Sequence, residues 1–136
     1  MSDVLILFGF SWIVFSALIG LLVGLRHEPH LEDLGNLARR GDLHGYHVTL
    51  DAFKWRVTVH AHGMLFSLVS IVIGLCIPKM AYPQLVTDAL AVVLMASSAL
   101  WTLAGFRSVT IAMGIADLMF LASVLTTVVG LARAIF

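Results

Sequence analysis

The chain has 136 residues, of which 60% are hydrophobic and only 12% are charged, and its mean hydropathy is +1.02. This composition excludes an ordinary soluble domain and predicts an all-α integral membrane protein. The formal net charge of zero gives no reason to expect a nucleic-acid partner, and the single Cys76 excludes an internal disulfide and any CxxC or CxxCH motif.

Four apolar runs are long enough to cross a bilayer, because a helix of about 20 residues spans roughly 30 Å of hydrocarbon. The predicted spans are about 4–25, 55–77, 84–106 and 111–135. The first run follows Ser2 and Asp3, which supply no basic region, so it is interpreted as a span and not as a cleavable signal. Pro78 ends the second span, and the turn that follows is short, which predicts antiparallel second and third spans. Residues 1–136 are therefore predicted to form a single four-helix transmembrane domain.

The long polar loop at 26–54 holds most of the charges and four of the six histidines. Within it, LEDLGNLARR predicts a short interfacial helix with Leu31, Leu34 and Leu37 on one face. More basic residues lie on the side of this loop than on the other side, where Lys79 and Arg133 lie. The positive-inside rule then predicts that this loop is cytoplasmic and that both termini lie outside. The expected location of this multi-pass protein is the cell inner membrane.

Three polar or aromatic side chains are predicted to share one layer inside the membrane. At about 1.5 Å per residue, His60 and Trp101 lie roughly 8 Å from the polar side, and Asp117 lies about 10 Å from it. A carboxylate in hydrocarbon is costly unless it is paired, so Asp117 is expected to point inward to a donor. The candidate donors are His60, His62, Arg56 and Arg107. On the opposite side, Asp88 and Arg133 are predicted to form a structural pair.

The sequence HAHG places His60 and His62 about 200° apart on a helix, so they cannot both bind one metal ion. One histidine is expected to face a cofactor and the other a hydrogen-bond partner or a neighbouring subunit. Met64 shares a face with His60, and Gly63 leaves room for a flat or bulky group. Two alternatives stay open: the histidines only pack between helices, or a copper or zinc site forms from several histidines. That site would use His27, His30, His44, His47 and His60.

The order of these features resembles the membrane-bound styrene oxide isomerases. The second span begins with Trp55 and Arg56, carries His60 early, and is closed by Pro78. The third span ends with Trp101, Gly105 and Phe106, and Asp117 lies early in the fourth. The similarity covers the second to fourth spans by motif, and the first span and the loop only by pattern.

This resemblance implies a homotrimer of four-helix subunits that binds heme b at the subunit interfaces, with His60 as the metal ligand. It implies an iron that acts as a Lewis acid on an epoxide, giving an aldehyde by ring opening and a hydride shift. The lack of CxxCH agrees with noncovalent heme, and one imidazole leaves a position open for a small apolar substrate or another small iron ligand. The cofactor-binding residues would be His60, His62, Met64, Arg56 and Gly63, and the catalytic residues Arg107, Asp117 and Trp101.

Two positions depart from the family pattern. Phe66 stands where the family has an asparagine, and Arg107 stands where it has a tyrosine. Those two groups position the substrate in the family, so the resemblance favours heme binding more than isomerisation. Arg107 could instead meet a heme propionate or an anionic ligand. A histidine-based copper- or zinc-handling membrane protein and a structural subunit of a larger membrane complex are the alternative functions.

Overall fold

A computed structural model describes all residues from Met1 to Phe136, and its regular elements are all helices. The elements are α1 (Ser2–Leu25), α2 (His27–Arg39), α3 (Leu43–Cys76), a 3₁₀ turn (Ile77–Lys79), α4 (Gln84–Phe106) and α5 (Thr110–Ile135). The helices α1, α3, α4 and α5 are long and apolar enough to cross a membrane. The predicted all-α fold with four membrane-spanning helices is therefore confirmed, and the chain is a multi-pass membrane protein.

The two central helices are α3 and α4, with α1 packed along α3 and α5 packed along α4. Half of the most apolar segment of α4 is buried (50%), against 17% for α1 and 22% for α5. The outer faces of α1 and α5 remain apolar and exposed, as expected for surfaces that meet lipid or another membrane protein.

The contact between α1 and α3 is made by small residues on both helices: Gly9 and Gly20 of α1, and Gly63 and Gly74 of α3. A Cβ atom at any of these glycines would overlap the facing helix. Such small surfaces matter in a bilayer, because lipid tails are as apolar as leucine and only close packing favours helix association. Of the GxxxG pair in α1, only Gly20 serves this purpose, since Gly24 faces open space.

Buried hydroxyl groups bond to carbonyl oxygens of their own helix. Ser67 donates to the Gly63 carbonyl at 2.6 Å, and Ser70 donates to the Phe66 carbonyl at 2.8 Å. The same pattern occurs in α4, where Ser98 donates to the Leu94 carbonyl at 2.9 Å. These bonds satisfy the hydroxyl groups where no water is present, so they need no partner on another helix.

The polar segment after α1 is mostly helical and not the long loop expected from its composition. The helix α3 begins at Leu43, well before the predicted start of the second span at Trp55. Its start is capped by Asp42, whose carboxylate accepts a hydrogen bond from the Gly45 amide at 2.9 Å. With 34 residues, α3 is about 50 Å long and extends beyond the hydrocarbon layer.

The predicted interfacial helix is present as α2, which packs against the polar extension of α3. Of the three leucines expected on its inner face, Leu34 is buried and Leu37 is half-buried, whereas Leu31 is 54% exposed. The turn to α3 passes through Gly41, whose φ of +70° is a conformation that glycine adopts without a steric penalty. The helices α2 and α3 therefore form a helical hairpin at the polar end of the molecule.

At the other end, the turn after α3 is fastened to α5. The Tyr82 hydroxyl donates to the Thr126 carbonyl at 3.2 Å, and the Ala81 amide donates to the Gly130 carbonyl at 3.2 Å. Pro78 lies in the 3₁₀ turn that follows α3. Because proline lacks an amide donor and clashes with the preceding turn, it ends the helix at this point, as predicted.

The predicted pair between Asp88 and Arg133 is wrong. The Asp88 carboxylate accepts a hydrogen bond from Gln84 Nε2 at 2.7 Å, and it lies 3.8 Å from the amino nitrogen of Met1. The Arg133 guanidinium lies over the Tyr82 ring, 5.7 Å from its centroid. The two charged side chains lie at similar depth in the membrane, but they do not pair because each has another partner close by.

The glycine contacts give a test of the packing between α1 and α3. Gly74→Leu places a side chain against Ile6 and the α1 backbone, and overpacking of this kind costs about 1–3 kcal/mol. Gly24→Leu is the matched control, because its side chain enters open space. In mixed detergent micelles, the unfolding midpoint in dodecyl sulfate should fall for Gly74→Leu and stay unchanged for Gly24→Leu. Equal midpoints for the two variants would contradict the packing described here.

Candidate functional site

His60 is held by a backbone atom of the neighbouring helix. Its Nδ1 lies 2.7 Å from the carbonyl oxygen of Ser16 in α1. A carbonyl oxygen only accepts hydrogen bonds, so Nδ1 carries a proton, and in the neutral imidazole the lone pair is on Nε2. The ring also packs on Gly20, where any larger residue would displace it. The contact with α1 thus sets both the tautomer and the orientation of the imidazole.

His62 lies on the opposite side of α3 and contacts α4. Its ring stacks on Trp101, with centroids 4.1 Å apart and planes inclined by 7°. Its Nδ1 lies 3.1 Å from the Thr58 carbonyl of the same helix, so Nδ1 carries a proton here as well. The two histidines therefore share a tautomer, but they face different helices and do not meet.

An aromatic cluster of His62, Phe66, Trp101 and Phe120 joins α3, α4 and α5. Phe66 meets Trp101 edge to face at 5.9 Å and stacks on Phe120 at 4.3 Å. Phe66 and Trp101 are only 2% and 3% exposed. The indole Nε1 of Trp101 is buried and has no hydrogen-bond partner within the chain. Trp101, a predicted catalytic residue, is therefore packed inside the bundle.

The other predicted cofactor-binding residues differ in whether a cofactor could reach them. The room expected beside Gly63 is filled by the side chain of Ser16, because α1 packs directly on this glycine. Met64 is half-buried, one turn after His60. Arg56 is exposed and lies one turn before His60, on the polar side. Gly63 thus provides a helix contact, whereas Met64 and Arg56 stay accessible near the imidazole.

Asp117 does not point inward, so its predicted pairing with a histidine or arginine of the chain is wrong. The side chain is exposed on the outer face of α5 and has no ion-pair or hydrogen-bond partner in the chain. The helix α5 turns Met113, Ala116 and Phe120 toward the bundle. Because these three residues form the inner face of α5, Asp117 lies on its outer face. Arg107 is also exposed, directly after the end of α4.

The histidines proposed for a copper or zinc site are not gathered together. His27 and His30 stack on Phe53, with centroids 5.7 Å and 4.4 Å away. His44 and His47 are exposed in the first turns of α3. No group of three or more histidine, cysteine, aspartate or glutamate side chains converges anywhere in the chain. Within one copy of the chain, the geometry therefore offers no multi-ligand metal site.

A cavity of about 790 Å³ lies at the polar end, between α1, α2, α3 and the end of α4. Neither His60 nor His62 lines it. Its polar lining includes Arg26, His30, Asp33 and Arg56, of which Arg56 was predicted to bind a cofactor and His30 to bind copper or zinc. The many charged and aromatic residues in the polar segment indicated that a site could form there. Because this segment was interpreted as a loop, the sequence did not predict which of its side chains would meet.

Comparison with known proteins assigns no family to this chain. No family model, no curated protein and no solved structure matches it. The two histidines, the exposed Asp117 and the cavity are therefore the features that bear on function.

The stacking of His62 on Trp101 can be tested without any cofactor. His62→Ala removes the stacked ring, and aromatic pairs contribute about 0.5–1.5 kcal/mol beyond their buried area. His62→Phe keeps a ring on Trp101 and is the matched control. The unfolding midpoint in mixed detergent micelles should fall for His62→Ala and recover for His62→Phe. An equal loss in both variants would show that the imidazole nitrogens, and not the stacking, stabilise the bundle.

Proposed function

We propose that this chain is a heme b-binding protein of the cell inner membrane in which His60 is the axial ligand. One observation carries the proposal: Nδ1 of His60 donates to the Ser16 carbonyl at 2.7 Å, which in the neutral imidazole leaves the lone pair on Nε2. Histidines that bind a metal almost always donate their other N–H in this way, because the bond fixes the ring and makes the ligand more basic.

The surroundings of His60 fit the chemistry of a noncovalently bound heme. The ring is anchored on Gly20 in the apolar part of the chain, and the sequence has no CxxCH motif for covalent attachment. Arg107, which is exposed at the polar end and does not line the cavity, offers a permanently charged guanidinium group for a propionate. A bound heme would supply a Lewis-acidic iron with one position open to a substrate or small ligand.

An assembly of several copies belongs to this proposal, with the homotrimer taken from the resemblance to the styrene oxide isomerases. The exposed carboxylate of Asp117 supports an assembly, because a charged aspartate within a membrane helix is costly, up to about 2.5–3.5 kcal/mol at the helix centre. A neighbouring copy can supply a donor that the single chain lacks. A heme shared between copies also agrees with the position of His60 outside the cavity at the polar end.

Two chemistries remain within the proposal: isomerisation of an epoxide to an aldehyde, and binding of a small iron ligand. In the isomerisation, a C–O bond of the epoxide opens and a hydride moves to the adjacent carbon, so no external reductant is consumed. Phe66, which replaces the family's asparagine, is packed among aromatic rings and offers no polar group to a substrate. Arg107, which replaces the tyrosine, is exposed. These departures favour ligand binding over isomerisation.

The ligand assignment is tested by the absorption spectrum of the protein purified in detergent, as isolated and after reduction with dithionite. The wild-type protein should show a Soret band and, when reduced, α and β bands. His60→Ala should abolish or shift the Soret band, because the only proposed iron ligand is lost, whereas His62→Ala should retain bound heme. The reverse result would transfer the ligand role to His62.

A featureless spectrum from cells supplied with a heme precursor would contradict the heme proposal. Metal analysis of the same sample would then separate the two alternatives. Bound copper or zinc would favour the metal-handling function, and a metal-free protein would favour the structural subunit.

The role of Asp117 in assembly gives a separate prediction. Asp117→Leu should lower the fraction of cross-linked oligomer in native-like nanodiscs, because the group that would pair with a neighbouring copy is removed. Asp117→Asn should lose less, since an amide keeps hydrogen-bonding capacity. Leu118→Ala, one position along the same exposed surface, is the control. An oligomer fraction unchanged in Asp117→Leu would show that this carboxylate takes no part in association.

A further inference from the structure

The cavity at the polar end has the size and position of a small-molecule site that the heme proposal does not use. Its volume of about 790 Å³ lies within the range of roughly 300–1,000 Å³ that is typical of ligand pockets. It is bounded by α1, α2, α3 and the end of α4, where the chain leaves the apolar layer. A ligand here would meet polar groups on one side and apolar side chains on the other.

The polar side of the cavity favours an anion. Arg26 and Arg56 contribute two permanent positive charges, and Asp33 is the only acidic residue in the lining. His30 Nε2 is buried and has no hydrogen-bond partner in the chain. Its ring is held in place by stacking on Phe53, with centroids 4.4 Å apart. A buried polar nitrogen without a partner costs free energy, so an adjustment of the His30 side chain that brings Nε2 to a bound head group would be favoured.

The apolar side of the cavity favours a hydrophobic body attached to that anion. Ile19, Leu22 and Val23 of α1 line the cavity together with Val59 of α3 and Phe106 of α4. Trp55 also lies in the lining, at the level expected for an aromatic residue near lipid headgroups. The lining of the cavity thus combines charged and apolar side chains.

We propose that this cavity binds an anionic amphiphile, a molecule with a carboxylate or phosphate head group and an apolar body. Arg26, Arg56 and the Nε2–H tautomer of His30 bind the head group. The apolar body lies along Ile19, Leu22 and Phe106. The site is separate from the proposed axial ligand, because His60 does not line the cavity.

The fluorescence of Trp55 provides the test, with the full-length protein in phosphatidylcholine nanodiscs. The probe is dibrominated stearate, whose bromine atoms quench tryptophan on contact, and its uncharged methyl ester is the matched control. At equal low mole fractions, the acid should quench more strongly than the ester. Trp55→Phe should remove this difference, because Trp12 and Trp101 lie outside the cavity lining. Equal quenching by acid and ester in the wild-type protein would overturn the proposal.

Two variants test the head-group contacts. Arg26→Gln removes one charge, and His30→Phe keeps a ring on Phe53 while it removes the buried nitrogen. Each should weaken the apparent affinity for the acid about tenfold, the effect of losing one charge-assisted hydrogen bond. Arg40→Gln makes the same charge change outside the cavity and should have no effect. An equal loss of affinity in Arg40→Gln would show that the effect comes from general surface charge, and it would overturn the proposed site.

The same variants separate this proposal from the heme proposal. Helical content and the Soret band should remain as in the wild-type protein for Arg26→Gln and His30→Phe, while the affinity for the acid falls. Loss of heme in both variants would show that the cavity is part of the heme site, and it would overturn the proposal of a separate ligand site. A wild-type affinity for the acid in both variants would also overturn it.

Competition identifies the source of the ligand. Unbrominated phosphatidic acid is added to the nanodisc, and phenylbutyrate is added to the buffer. Displacement of the brominated acid by phosphatidic acid assigns the site to a bilayer lipid, and displacement by phenylbutyrate assigns it to a soluble organic acid. Displacement by neither would contradict recognition of an anionic head group.

Discussion

The close contact between α1 and α3 is the constraint on which the rest of the molecule depends. In a bilayer, apolar side chains gain little by leaving lipid for another helix, so the two backbones must approach closely. Gly9 and Gly74 allow this approach, and the carbonyl of Ser16 comes within 2.7 Å of His60 as a result. The packing of the fold and the tautomer of the candidate ligand therefore have one physical origin.

Two sets of polar groups in this chain differ in how they are satisfied. Buried hydroxyl groups of α3, α4 and α5 bond to their own helices and need nothing else. By contrast, the carboxylate of Asp117 and the buried Nε2 of His30 have no partner in the chain. The first faces outward from α5, and the second belongs to a residue that lines the cavity at the polar end. The proposed contacts with a second copy and with an anionic ligand would satisfy these two groups.

The fold could be predicted from the sequence wherever the length and composition of a segment decide its structure. Four apolar runs, a helix ended by Pro78 and a helix at the membrane surface all follow from local signals, and the structure contains each of them. The structure of the polar segment was harder to predict, because its charges and glycines are typical of a loop. Its helices form because Asp42 caps α3 and because α2 packs against the extended helix, with Leu34 buried. Packing of this kind is not visible in composition.

The sequence by itself determined that His60 and His62 leave α3 in opposite directions, because helix geometry is local. Only the tertiary structure decided that Ser16 meets His60, that Trp101 stacks on His62 and that Asp117 lies outside. The physical reason is that a membrane helix is apolar on all sides, so hydrophobic periodicity does not mark its inner face. That face is chosen by which neighbour fits, a property of two helices together.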